Sequence, residues 1–150
     1  MVIAAPQLSS SFDLLAFDSD GAPVLAVEVR GSQGRKDEAK QQLLGQAGKL
    51  GIPYGLLVDT ETAEFLDLSK PAGPTLLAIP THELLAAYAH GLDPSEVSGQ
   101  YLQLLVDTWL RNIMQPLPDD PPPGFTELTT LGLAAKLHDG RKVTETRSFF

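Results

Sequence analysis

The chain has no cysteine, so it forms neither a disulfide nor a thiolate metal site. Its three histidines, His82, His90 and His138, lack the spacing of a metal pair and have no acid in register. Aromatic residues make up only 7% of the sequence, with one tryptophan. Trp109 and Tyr101 fall at helical spacing with leucines and are assigned to the core rather than to base stacking. No apolar run approaches the roughly 20 residues that span a bilayer. The stretch from Met1 to Gln7 lacks the basic and apolar regions of a signal peptide, so the expected location is cytoplasmic. Basic residues are scarce, 11 against 19 acids for a net charge of −8. That balance argues against non-specific nucleic-acid binding, which needs clustered Lys and Arg. Locally the balance reverses: Arg30, Arg35, Lys36, Lys40 and Lys49 place five of the 11 bases within 20 residues.

What is present is an ordinary globular composition, 43% hydrophobic and 20% charged, in 150 residues. Two apolar runs, Phe12 to Phe17 and Val24 to Arg30, flank Asp20-Gly21, a strong short-range hairpin signal. With Asp20 and Gly21 as the turn, cross-strand partners have numbers summing to 41, which sets Asp13 opposite Glu28. Facing residues have Cβ atoms roughly 4.5–5.5 Å apart, and two carboxylates there repel unless a cation lies between them. Arg30 shares the face of Glu28, about 6.6 Å further along the strand. Two acids and a cation on one rigid hairpin face suit a divalent-metal site.

Residues 36–50 read as a helix with a narrow stripe of Ala39, Leu43, Ala47 and Leu50, closed by Gly51 and Pro53. Gly45 and Gly48 weaken it and are expected where the helix packs closely on a sheet. Strands follow at Tyr54–Val58 and Ala63–Leu68, with Asp59, Glu61 and Glu64 assigned to a turn and a solvated strand face. After an apolar run from Leu76 to Ile79, a helix is predicted over 82–90. Asp93-Pro94-Ser95-Glu96 starts a second helix reaching Met114 and burying Tyr101, Leu104, Leu105, Trp109 and Ile113. The expected organisation is an α/β domain over 1–115, with a mixed central sheet flanked by helices. A stiff Pro-rich linker follows over 116–124, then a hairpin over 125–150 turning at Asp139-Gly140. That hairpin is expected either to cover an edge of its own sheet or to reach a neighbouring subunit as the contact of a homodimer.

Asp13, then Glu28-Val29-Arg30, a helix with glutamines, and Gly51-Ile52-Pro53-Tyr54-Gly55-Leu56-Leu57-Val58 together resemble the PD-(D/E)xK nuclease superfamily. The closest likeness is to the small bacterial branch related to the N-terminal domains of type I restriction subunits, over roughly residues 11–68. The resemblance implies a restriction-endonuclease-like core and metal-dependent hydrolysis of phosphodiester bonds in DNA. By position it makes Asp13 and Glu28 ligands of Mg²⁺ or Mn²⁺, puts Arg30 where the motif has Lys, and sets Gln42 at the site. Gln46 stands where several branches have Tyr, and Phe12 stands where the motif name has Pro. Arg30 remains protonated and cannot act as a base, although it can bind phosphate. Lys36 or Lys40 would supply an ammonium migrated onto the helix. The alternative implied by Arg30 and the acidic balance is a catalytically silent nuclease-fold module for protein or nucleic-acid binding or oligomerisation.

Overall fold

A computed structural model describes residues 12–30, 36–89 and 97–144. Its strands are β1 (Leu14–Phe17), β2 (Pro23–Val29), β3 (Tyr54–Val58), β4 (Thr62–Asp67), β5 (Thr75–Pro80) and β6 (Arg141–Thr144). Helix α1 (Lys36–Leu50) joins β2 to β3. The helices α2 (Thr81–Tyr88), α3 (Gly99–Met114), α4 (Phe125–Thr130) and α5 (Leu133–Leu137) precede β6. The six strands form one mixed sheet in the order β5-β4-β3-β2-β1-β6, in which only β2 and β3 run parallel. The chain is thus α/β, with helices against both faces of the sheet.

Strand β2 lies inside the sheet and is covered on both faces, which is why Val24, Leu25, Ala26 and Val27 form a continuous apolar run. Alternation sends Leu25 and Val27 to a large core with Leu56, Val58, Phe65 and the helices α3 to α5. Ala26 joins the opposite core, with Leu15, Leu57, Leu66 and the Ala39, Leu43 and Ala47 stripe of α1. The stripe ends one residue early: Leu50, expected in it, is exposed. Beyond it the helix closes as expected, with Ile52 N–H bonded to Ala47 O at 3.0 Å and Gly51 N–H to Gly48 O at 3.4 Å.

The close helix–sheet approach expected at Gly45 and Gly48 lies elsewhere. An added Cβ at either would meet nothing within 4 Å, whereas at Gly55 of β3 it would stand 2.9 Å from both Leu43 Cδ2 and Leu68 Cδ1. It is the sheet, not the helix, that supplies the missing side chain.

The hairpin register is as predicted over three pairs, Leu14 with Val27, Leu15 with Ala26 and Ala16 with Leu25, and the ladder ends before the expected pair of Asp13 with Glu28. It slips near the turn, where Phe17 opposes Pro23. The turn is wider than Asp20-Gly21 because Asp18 Oδ1 accepts from the N–H groups of Asp20 and Ala22, each at 2.9 Å.

The C-terminal third differs from expectation. Residues 125–137 form two short helices, and β6 pairs with β1 as an edge strand of the main sheet, so the predicted terminal hairpin does not form. Leu128, Leu133, Ala134 and Leu137 belong to the large core. The segment 116–124 is no extended linker, since Leu117 and Asp120 form a bridge and Trp109 Nε1 donates to Pro123 O at 2.9 Å. Of the two roles expected for this end of the chain, β6 takes the covering of its own sheet's edge, along β1. In α3, Trp109 and Ile113 are fully buried as predicted, but Tyr101 and Leu104 face outward. The predicted helix start at Asp93 to Glu96 lies outside the described residues; the described helix begins after Ser98, whose Oγ accepts from Tyr101 N–H at 3.1 Å.

Candidate active site

Asp13 and Glu28 both lie where the β1–β2 ladder ends. Asp13 sits just before β1, its N–H bonded to Val27 O at 3.0 Å. Its carboxylate replaces the next ladder acceptor: Asp13 Oδ2 takes the Val29 N–H at 2.7 Å. That bond is short and charge-assisted, and it fixes the carboxylate beside the residue that follows Glu28. Glu28 is the one acid in β2 and is buried, pointing with Ala26 to the α1 side of the sheet.

Arg30 follows β2 and continues its parallel pairing, donating its N–H to Val58 O at 2.7 Å. Its side chain doubles back, so that Nη2 lies 3.2 Å from Glu28 Oε2 and 3.2 Å from Gln42 Oε1 on α1. The Glu28 side chain is 9% exposed and that of Arg30 41%. The carboxylate is therefore in the floor of the site and the guanidinium at its rim. Gln42 lies off the apolar stripe of α1, which is why the helix can bury Leu43 and still reach Arg30.

Four of the residues singled out in the sequence, Asp13, Glu28, Arg30 and Gln42, are thus gathered at the ends of β1 and β2 and the flank of α1. Lys40 is half-buried on α1, and no ion pair joins it to either carboxylate among the described contacts. The side chain of Lys36 lies outside the described residues, as does Arg35. Gln46 is half-buried and enters no hydrogen bond with the site among the described contacts.

Two backbone groups were not legible as site members, because nothing in their side chains marks them. The Val29 N–H orients Asp13, and the Val58 carbonyl anchors Arg30. Asp59, assigned to a turn, does cap it: its Oδ1 accepts from Glu61 N–H at 2.8 Å and Thr62 N–H at 2.9 Å. It is nonetheless almost completely buried, and Thr81 Oγ1 donates to its carbonyl at 2.7 Å, which ties the turn to the start of α2. Glu64 is half-buried and takes hydroxyl bonds from Thr75 at 3.0 Å and Thr62 at 3.3 Å, so the β4 face is less solvated than expected.

The donor set restricts the ions that could bind. Among the described residues no group of three or more His, Cys, Asp or Glu is placed to hold a metal. Two carboxylates at the mouth of a ladder fit a hard cation that keeps several of its waters. Among the described residues no helix is long and apolar enough to cross a membrane. Compared with protein-family models, curated proteins and solved structures, the chain has no significant match.

Proposed function

We propose that the protein is a metal-dependent nuclease-like hydrolase of phosphodiester bonds in DNA, built on a restriction-endonuclease-like core. The observation that carries this reading is the Asp13 carboxylate held on the Val29 N–H, next in the chain to buried Glu28, whose own carboxylate faces Arg30 anchored by Gln42. Asp13 and Glu28 would hold Mg²⁺ or Mn²⁺. When bound, such an ion polarises a phosphate and lowers the pKa of its water.

The remaining work falls to this chain's own groups. The Val29 N–H keeps the Asp13 carboxylate in one orientation, which lowers the ordering cost of ligand binding. Burial of Glu28 excludes competing water from one side of the site. Arg30, at the rim and permanently charged, binds a phosphate and offsets charge that develops on its oxygens. Arg30 does not take a proton. That task would need a neutral group, for which the unprotonated amine of Lys36 or Lys40 on α1 is the candidate.

A second reading is favoured by one contact. Arg30 already supplies Glu28 with a cation, as expected of a catalytically silent module that keeps the fold for binding. Nicking of supercoiled DNA and degradation of single-stranded DNA with Mn²⁺, comparing wild type with Glu28→Ala, separates the two. Cleavage by the wild type that the variant loses is the expected result. Cleavage unchanged in Glu28→Ala refutes the site, and none from either folded protein leaves the silent module.

A further inference from the structure

The contact between Arg30 and Glu28 is of an unusually loose kind for a buried carboxylate. Arginine pairs most strongly with a carboxylate through two parallel N–H bonds at roughly 2.7–2.9 Å. Here one nitrogen, Nη2, serves both Glu28 Oε2 and Gln42 Oε1, each at 3.2 Å. Arg30 Nε is buried and makes no hydrogen bond. The guanidinium is therefore shared between a charged and a neutral acceptor, long to both, with 41% of the side chain still open to solvent. Glu28, by contrast, is buried and held in the sheet by its parallel pairing with Leu57 of β3. The mobile partner is the cation.

We propose that Arg30 is an exchangeable counter-ion. It holds Glu28 when no divalent cation is present and passes to a phosphate of the polynucleotide when a divalent cation takes the carboxylate. Gln42 retains the guanidinium at the rim through the exchange. This rests on the reading of Asp13 and Glu28 as metal ligands and adds an order to it. Cation binding frees the phosphate-binding group, so cation and polynucleotide bind with positive coupling, each strengthening the other by the same factor.

The test is calorimetric titration of Mn²⁺ into the wild type and Arg30→Gln, each checked for folding by circular dichroism. Removing a competing, partly exposed ion pair is expected to tighten Mn²⁺ binding by roughly fivefold. A fluorescein-labelled oligodeoxynucleotide should bind the wild type several-fold more tightly with Mn²⁺ than without, and this gain should shrink in Arg30→Gln. Equal Mn²⁺ affinity in the two proteins overturns the exchange and leaves the metal site standing. Binding to Arg30→Gln alone overturns the exchange, because Arg30 then shuts the cation out of the wild type instead of yielding to it. Binding to neither overturns both. If Arg30→Gln does not fold, the wild type decides alone: Mg²⁺ should shift the NMR signal of the Arg30 side-chain Nε–H. A signal that stays still while the amides of Glu28 and Val29 move overturns the proposal.

Discussion

One face of the sheet is covered by α3, with Leu102, Val106, Trp109 and Leu110 fully buried, and by α2, α4 and α5 alongside it. The other is covered by α1, whose buried stripe is Ala39, Leu43 and Ala47. The first core is broad, aromatic and almost free of charge; Phe65 and Trp109 meet edge to face with centroids 5.5 Å apart. The second is thin, and polar groups sit at its margin: Asp13, Glu28, Arg30, Gln42 and Glu64. Bulk apolar packing and the cluster of polar groups are thus divided between the two sides of one sheet. A buried carboxylate such as Glu28 is tolerable because the core opposite it supplies the stabilisation that it costs.

The division can be broken from the heavy side first. Trp109→Ala removes the edge-to-face contact and the bond to Pro123 O, and should destabilise the protein by about 3–5 kcal/mol in denaturant unfolding. The metal affinity of the molecules that remain folded should be unchanged. At the seam between β6 and β1, a Cβ on Gly140 would run into the carbonyl oxygen of Phe17. Gly140→Ala should therefore cost about 2–4 kcal/mol and speed amide exchange in β6.

On the light side the expected effects are smaller. Gly55→Ala presses a methyl against the ends of Leu43 and Leu68, at a cost of about 1–3 kcal/mol, and by lifting α1 it should also weaken the Gln42–Arg30 contact. Gly45→Ala and Gly48→Ala point into open space and should each stabilise the protein by up to ~1 kcal/mol. Smallest is a pH effect. The Ser69 hydroxyl, 2.5 Å from Asp67 Oδ1, holds that carboxyl below its usual value of 3.8; burial opposes it, and the Ser69 N–H and Lys70 add to the lowering. A folded value below the unfolded one means that the stabilisation is present above pH 3.8 and is lost as pH falls through the lower folded value. Ser69→Ala should move the NMR-detected titration of Asp67 back toward 3.8 with little change in unfolding at neutral pH.

The thin side was the more legible of the two in the sequence. Its helix carries an apolar stripe with clear end signals, and its hairpin is local, so one turn fixes the pairing of Leu14 with Val27 and the face of Glu28. Even there the turn misled, because Asp18 bonds its neighbours and widens it, an effect that Asp20-Gly21 conceals. The heavy side depends on contacts distant in sequence. Leu133–Leu137, five residues of mostly apolar character, fits a strand as well as a helix by pattern. Only its burial against α3 decides. The partner of β6 is β1, at the opposite end of the chain, and the Lys142–Asp107 ion pair at 2.6 Å that ties β6 to α3 has no local signature. Tyr101 and Leu104 failed as core residues because the amphipathic face of α3 is centred on Leu102, Val106 and Trp109, which leaves both at its outer edge.

The central claim is that the carboxylates on the thin side bind a divalent cation. Calorimetric titration of Mn²⁺ into the wild type and Asp13→Asn tests it most directly. The account predicts saturable binding by the wild type at or below millimolar metal and its loss in a folded Asp13→Asn. No heat from the wild type at millimolar metal, or equal binding by both proteins, would contradict it.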